Sequence, residues 1–203
     1  MPDQPAFSVE PMILVDLDQV MEIERVSFPT PWSVRAYRYE LTRNEHSAFL
    51  IVRKAPKLNN RWANLLRHLG LVKPGKVLGY AGCWLLVDEC HVSTIAVHPD
   101  WRGRGLGELL LVSLMEKGME LGARRATLEV RISNQAAQSL YHKCGFEIVS
   151  LRRKYYADNE DAYIMATPHF ESPEFQARLL EFRRRLQDIP KTAVPLPEVT
   201  TDN

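Results

Sequence analysis

Cysteine is scarce. The chain of 203 residues holds three, Cys83, Cys90 and Cys144, and no two form a C-x-x-C pair. An odd, sparse set argues for reduced thiols and against a disulfide framework, so a cytoplasmic setting is expected, with no metal. Long apolar runs are also missing. None approaches the ~20 residues that a membrane-spanning helix needs. Residues 1–20 lack a basic segment followed by an apolar one, so no secretory signal is expected. There is no surplus of one charge. The formal net charge is +1, which gives no global case for binding DNA or other nucleic acid. No internal repeat occurs. What is present, 45% hydrophobic and 25% charged residues, suits one globular domain with an appendage and ample material for a core.

The informative stretch is Val92-Ser-Thr-Ile-Ala-Val-His-Pro-Asp-Trp-Arg-Gly-Arg-Gly-Leu-Gly-Glu108. A run rich in β-branched residues, Val92 to Val97, reads as a strand. His98-Pro99-Asp100 ends it, because proline lacks a donor and restricts the residue before it. Arg102-Gly103-Arg104-Gly105-Leu106-Gly107 then leads into a helical pattern, with Leu106, Leu109, Leu110, Leu114 and Met115 on one face. Strand, glycine loop and helix in that order place backbone N–H groups in a concave nest at a helix N-terminus. Such a nest is an anion site, and Arg102 and Arg104 add positive charge. No Gly-Lys-Ser/Thr follows, so the loop is not a Walker A motif. The glycine spacing is not the dinucleotide fingerprint either.

Arg102 to Gly107 fills the pattern Q/R-x-x-G-x-G/A and resembles the acetyl-CoA-binding motif of the GNAT acyltransferases. The resemblance covers roughly residues 10–167. It implies an α/β GNAT fold, a mixed central sheet with helices on both faces, and acetyl-CoA as cosubstrate. It also implies that Arg102, Gly103, Arg104, Gly105, Leu106, Gly107 and Glu108 hold the pyrophosphate. Ile95, Ala96 and Val97 would bond the pantetheine arm as a further strand would.

The rest of the chain is read in order. Residues 1–11 form a loose entry, and Met12 to Val15 is expected as a first strand. Asp16 or Asp18 caps a helix carrying Val20, Ile23 and Val26. Phe28-Pro-Thr-Pro-Trp-Ser33 interrupts it, and Ser33 caps a second helix through Tyr37 and Leu41. Phe28 and Trp32 either plug the gap between these helices or wall an acceptor site. Ala48 to Arg53 and Val77 to Val87 read as paired strands, in which Gly79 and Gly82 weaken the second or mark a bulge. Between them, Arg53 to Lys76 holds seven Lys/Arg and no Asp/Glu. Trp62, Leu65, Leu66 and Leu69 there form an amphipathic stripe. This insert, 54–76, either covers a sheet edge or offers a basic docking surface for ribosome, RNA or an anionic membrane. The central helix ends near Gly122. Strands at Ala126–Arg131, Phe146–Ser150 and Ala162–Ala166 and a short helix capped by Asn134 complete the domain, 1–167. Residues 168–203 are an appendage: a helix with Phe175, Leu179, Phe182 and Leu186 on one face, then a Pro-rich, disordered tail.

Acetyl transfer to an amine needs a proton acceptor for the amine and a proton donor for the leaving sulfur. Glu129, in Leu128-Glu-Val-Arg131, is either the base or a surface residue paired with Arg131 or Arg125. The resemblance favours the base. Tyr141 is either a packed tyrosine or, as the motif A-x-x-L-Y-x-x-x-G-F implies, the general acid. Asn134 bonds pantetheine or simply caps a helix. Tyr155 and Tyr156, followed by Glu160-Asp161-Ala162, either stabilise a hairpin as an aromatic pair or, as the resemblance to the family's R-x-x-Y-Y … E-D-A pattern implies, help hold an acceptor peptide. His142 and His91 match no family role, and Cys144 is assigned to the core. The F-P-x-P-W-S segment resembles the branch of the family that acetylates protein N-termini, notably the RimI-type enzymes acting on a ribosomal protein's N-terminal alanine. The expected partner is therefore the N-terminus of an acceptor protein. Two alternatives are acetylation of a small amine and a non-catalytic coenzyme A-binding regulatory module.

Overall fold

The computed structural model describes residues 7–54 and 75–187. Among the described residues, seven strands form one sheet: β1 (Phe7–Pro11), β2 (Ser47–Lys54), β3 (Val77–Leu86), β4 (Glu89–Val97), β5 (Arg125–Arg131), β6 (Glu147–Arg152) and β7 (Ala162–Ala166). Their order is β1-β2-β3-β4-β5-β7-β6. The helices are α1 (Leu17–Ser27), α2 (Val34–Arg43), α3 (Leu106–Glu120), α4 (Gln135–Lys143) and α5 (Pro173–Gln187). Two cores result. One packs α3 and α5 on the sheet through Leu109, Leu110, Leu114, Phe146, Phe175 and Phe182. The other sets α1 and α2 on Phe49, Ile51 and Tyr80. The sheet is mixed and helices cover both faces, as expected.

Every strand neighbour is antiparallel except β4 and β5, which run parallel and pair only over Glu89–His91 with Arg125–Thr127. The cause lies one step further on. β3 pairs with β4 through Gly82↔Thr94 and Cys83↔Val92, so Ser93 has no opposite residue. This is a β-bulge, and bulges bend the strand that carries them. It falls just where β4 leaves β5. Gly82 permits it: a Cβ there would run into the Phe49 ring, and that ring is held by Trp32 and Tyr37. Of the two readings of Gly82, the bulge is correct.

The first strand is displaced from Met12–Val15. Phe7–Pro11 pairs with β2 instead, while Leu14–Asp16 makes a single 3₁₀ turn. The reason is local. Ile13 N–H donates to Asp16 Oδ2 at 3.0 Å, which closes a turn where an extended run was expected. Asp16 also pairs with Arg53, and both are buried. Ser33 caps α2 as expected, accepting from Ala36 N–H at 3.1 Å. Val20 and Ile23 are buried but Val26 is exposed, because Leu17 and Met21 complete the inward face of α1. Gly122, at φ 96°, follows the end of α3.

α3 is buried on more sides than an amphipathic helix would be. α5 lies against it, so even Glu108 is 6% exposed and faces Lys143 and Arg185. The hydrophobic core thus continues past residue 167 through Phe170, Phe175, Leu179 and Phe182. The amphipathic stripe at Trp62–Leu69 and the Pro-rich tail lie outside the described residues. Among the described residues, no helix is long and apolar enough to cross a membrane.

Gly82→Ala should destabilise the fold by about 1–3 kcal/mol, the usual cost of overpacking. Combining it with Phe49→Leu should cost less than the sum of the two single changes. Urea unfolding of the four chains checks this, and strict additivity would separate Gly82 from the ring.

Candidate active site

The glycine loop sits where β4 ends. A 3₁₀ turn, Pro99–Trp101, follows the strand. Gly103 and Gly105 then adopt φ 73° and 78°, a region that L side chains rarely enter. Gly105 is the N-cap of α3. The four N–H groups that open a helix have no internal acceptor, so the first turn of α3 offers them to an anion. Nothing lies within 4 Å of a Cβ built at Gly103, which leaves the cradle open. Gly107 serves packing instead. A Cβ there would meet Leu140 Cδ2 at 3.2 Å, so its absence lets α4 approach α3.

Arg102 turns back to β4, donating from Nε to the Val97 carbonyl at 3.0 Å. Arg104 lies over the Trp101 ring, 4.7 Å from its centroid. Glu108 commits its carboxylate to Lys143 and Arg185, and Leu106 is fully buried. Neither side chain faces the nest as a free group. Ile95, Ala96 and Val97 pair with Ala81, Tyr80 and Gly79 on one side and have no strand partner among the described residues on the side toward β5. An extended amide-bearing arm fits that vacant edge. An anion-accepting nest thus stands beside a strand edge that has no partner strand among the described residues.

Glu129 stands on β5, two residues past the last β4 pair. It binds neither Arg125, which pairs with Glu89, nor Arg131, which bonds Asp158 and Glu160 at 2.7 and 2.6 Å. Its partners are His91 Nε2 at 3.2 Å and Arg152 Nη1 at 3.1 Å. Its carboxyl is held below the usual range by the His91 hydrogen bond, against desolvation, with the charges of His91 and Arg152 adding to the effect. It is therefore ionised throughout the neutral range. His91 Nδ1 in turn contacts Thr127 Oγ1 at 3.2 Å. From sequence alone His91 is set aside and Arg152 carries no role. Only strand order and register, which no short motif encodes, bring them to Glu129.

Tyr141 is buried beside Phe146. Burial, then the neighbouring Tyr156 and Cys144, push its phenol well above the ordinary range, so it keeps its proton at neutral pH. Cys144 is a core residue with its thiol pushed up to about 12, chiefly by burial. It is no ready nucleophile. Asn134 caps α4, Oδ1 accepting from Ala137 N–H at 3.1 Å; its amide NH₂ is not used in the cap.

Tyr155 and Tyr156 meet edge to face, 5.1 Å apart. Arg152 covers the first and Arg131 the second. Burial and then the charge on Glu129 raise Tyr155, which places the pair around the same carboxylate. The turn beside them lacks glycine, and Asn159 takes its place at φ 64°. Glu160 fastens the turn to β5 through Arg131 and to the loop before α4 through Ser133 N–H, and its carboxyl falls to about 2. That anchoring is present above the ordinary carboxylate pKa of ~4.3 and is lost as pH falls toward 2. Trp32 stacks on Trp84, and Trp32 and Phe28 each pack against the second core. They plug the α1–α2 gap and, through Trp84, also reach the Glu129 side.

Gly105→Glu should abolish coenzyme A binding measured by calorimetry on a folded variant, because a side chain and a negative charge enter the nest; unchanged affinity would reduce the loop to a turn. The Glu129 carboxyl, followed by NMR, should titrate below ~4.3, and Arg152→Ala should move its midpoint up. An unmoved midpoint would remove Arg152 from the site.

Residues 17–146 match the acetyltransferase (GNAT) family. A Bacillus subtilis (strain 168) protein, provisionally named a [ribosomal protein bS18]-alanine N-acetyltransferase, is 38% identical over 159 residues, 78% of this chain and 93% of that one. The [ribosomal protein bS18]-alanine N-acetyltransferase of Escherichia coli (strain K12) is 33% identical over 75% of this chain and 91% of its own. The crystal structure of the Escherichia coli ribosomal-protein-S18-alanine N-acetyltransferase superposes with a TM-score of 0.63 and 30% identity, covering 80% of this chain and 93% of that chain. Parted strands beside a glycine nest, the mixed seven-stranded sheet and these matches lead to one conclusion: the chain belongs to the GNAT family and is an acetyl-CoA-dependent N-acetyltransferase.

Proposed function

We propose that this enzyme acetylates the α-amine of a protein, a ribosomal protein with N-terminal alanine, by direct transfer with Glu129 as base and Tyr141 as acid. The observation that carries the reading is the place of Glu129: an ionised carboxylate, 12% exposed, on the stretch of β5 that has parted from β4. The identity to relatives named for bS18 alanine, over nearly their whole lengths, supports the acceptor.

Bound acetyl-CoA supplies the electrophilic carbonyl and departs as a thiol. Gly103, Gly105 and the first turn of α3 hold its phosphates through backbone N–H groups, with Arg102 and Arg104 adding charge. Ile95, Ala96 and Val97 take its arm, and Asn134 is within the same set through its free NH₂. Glu129 accepts the proton that the amine gives up as nitrogen bonds carbon. Tyr141 donates its proton to sulfur as the carbon–sulfur bond breaks, and is reprotonated from solvent. Its raised pKa keeps it in the donor form. Phe28, Trp32, Tyr155 and Tyr156 enclose the acceptor chain end.

The choice of amine follows from proton energetics. An α-amine has a pKa of ~7.7–8.0 and a lysine side chain ~10.4. Lysine must lose its proton against roughly 2.5 further units, about 3.4 kcal/mol at ~1.36 per unit. A carboxylate held below the ordinary range is a modest base and suits the easier amine.

Peptides with a free N-terminal alanine should therefore react at the α-amine. The same peptides with that amine blocked, but with internal lysines, should react at least ~100-fold more slowly; mass mapping of the product decides, and equal rates would overturn the assignment. Glu129→Gln and Tyr141→Phe should each lower turnover by ~10²–10⁴-fold with acetyl-CoA affinity kept. Near-full rates in both would contradict the acid–base roles.

A further inference from the structure

α1 turns Leu17, Val20, Met21 and Glu24 toward the second core. Three of these are apolar. The fourth is a carboxylate, 1% exposed. Burial of a charge is costly unless hydrogen bonds compensate it, and two do. Trp32 N–H donates to Glu24 Oε1 at 2.8 Å, and Tyr37 Oη–H donates to Oε2 at 2.9 Å. Trp32 lies in a loop where Pro29 and Pro31 offer no N–H. Glu24 thus grips one of the few donors in the loop and fixes where the indole goes.

That indole begins a stack. Trp32 lies on Trp84 at 5.8 Å and 18°, and Trp84 lies on His91 at 6.0 Å and 14°. His91 bonds Glu129. Trp84 is steadied from α2, its Nε1–H donating to Glu40 Oε2 at 3.0 Å. Three near-parallel rings therefore run from the α1–α2 loop to the carboxylate on β5. The sequence holds the four residues at positions 32, 84, 91 and 129, too far apart for any local pattern to link them.

We propose that Glu24 is the positioning residue for the acceptor peptide: it sets the Trp32–Trp84–His91 stack as the wall against which the peptide's first residue lies, and it has no part in holding acetyl-CoA. The inference rests on the N-terminal acceptor proposed above. α1 and the nest-bearing α3 lie on opposite faces of the sheet, so Glu24 stands away from the phosphate end of the cosubstrate, while Ala96 of the arm-binding edge shares the second core with α1. The wall therefore acts on one substrate and not the other. Its contacts with the acceptor are through Trp32 and the rings behind it, not through Glu24 itself.

The test compares Glu24→Gln, Glu24→Met and Trp84→Leu with the unaltered enzyme. Glutamine still offers an oxygen to Trp32 N–H, and methionine of similar length accepts nothing. Each chain is checked for cooperative unfolding. The far-ultraviolet exciton couplet of the Trp32–Trp84 pair, which needs no substrate, reports the stack. Steady-state rates on an N-terminal alanine peptide and on acetyl-CoA give the two KM values. Glu24→Gln should keep the couplet and both KM values within about twofold. Glu24→Met and Trp84→Leu should lose the couplet and raise the peptide KM by about tenfold or more, the scale of a lost hydrogen bond to a charged group, with the acetyl-CoA KM within about twofold. A lost couplet with an unchanged peptide KM, or both KM values rising together, would overturn the inference while leaving the N-terminal acceptor intact. An intact couplet in folded Glu24→Met would also overturn it. An unaltered enzyme that acetylates lysine side chains but not the α-amine would overturn the acceptor itself, and this inference with it.

Discussion

The bulge at Ser93 is the constraint on which the site depends. A parallel strand pair normally continues its ladder, since each unpaired buried N–H or C=O costs free energy. Here β4 and β5 keep three pairs and then part. The extra residue bends β4, and what would be a ladder becomes two strand edges with groups to offer. Everything chemical stands at that opening. Ile95–Val97 line one edge, Glu129 rises from the other, and the nest at Gly103–Gly107 receives the chain as it leaves β4. The small side of the arrangement is Gly82, whose missing side chain leaves room for Phe49. Ser93 Oγ is itself buried and has no hydrogen-bond partner among the described residues.

The two faces of the sheet divide the work. α3 and α5 back the nest, and the buried Glu108 ties both α4 and α5 to the first turn of α3 through Lys143 and Arg185. α1 and α2 cover the other face, where the buried carboxylate of Glu24 takes hydrogen bonds from Trp32 and Tyr37. Each buried carboxylate is compensated, one by two cations and the other by two hydrogen bonds, as burial of charge requires. The groups around Glu129 act differently. Arg152 and His91 keep it ionised, while Arg131 is drawn off by Asp158 and Glu160 to hold the neighbouring turn. This partition of arginines leaves Glu129 to Arg152 and His91, and Asp158 and Glu160 to Arg131.

Much of this was legible in the sequence, for reasons that differ by element. The nest was readable because glycines at positive φ, a proline stop and a leucine-rich helix are local signals, all within one short stretch of chain. Ser33, Asn134 and Gly122 were readable as helix ends for the same reason. The strand at Met12–Val15 was misplaced because Asp16 accepts from Ile13 N–H, a competition between side chain and ladder that a strand-like run of apolar residues conceals. Glu129 was singled out, but its partners were not, because Arg125 and Arg131 are neighbours in sequence whereas His91 and Arg152 are neighbours only through strand order and register. Gly82 left two readings open, and the choice depended on Phe49, a residue of another strand.

The central claim is that the parted edge of β4 is where acetyl-CoA is received. Amide hydrogen exchange with and without acetyl-CoA tests it directly. Ile95 and Val97, whose N–H groups face away from β3, together with Gly103 to Gly107, should gain protection when the cosubstrate is added. Glu89 to His91, already paired with β5, should change little. Protection confined to the glycine loop, or spread equally along the whole of β4, would contradict the account.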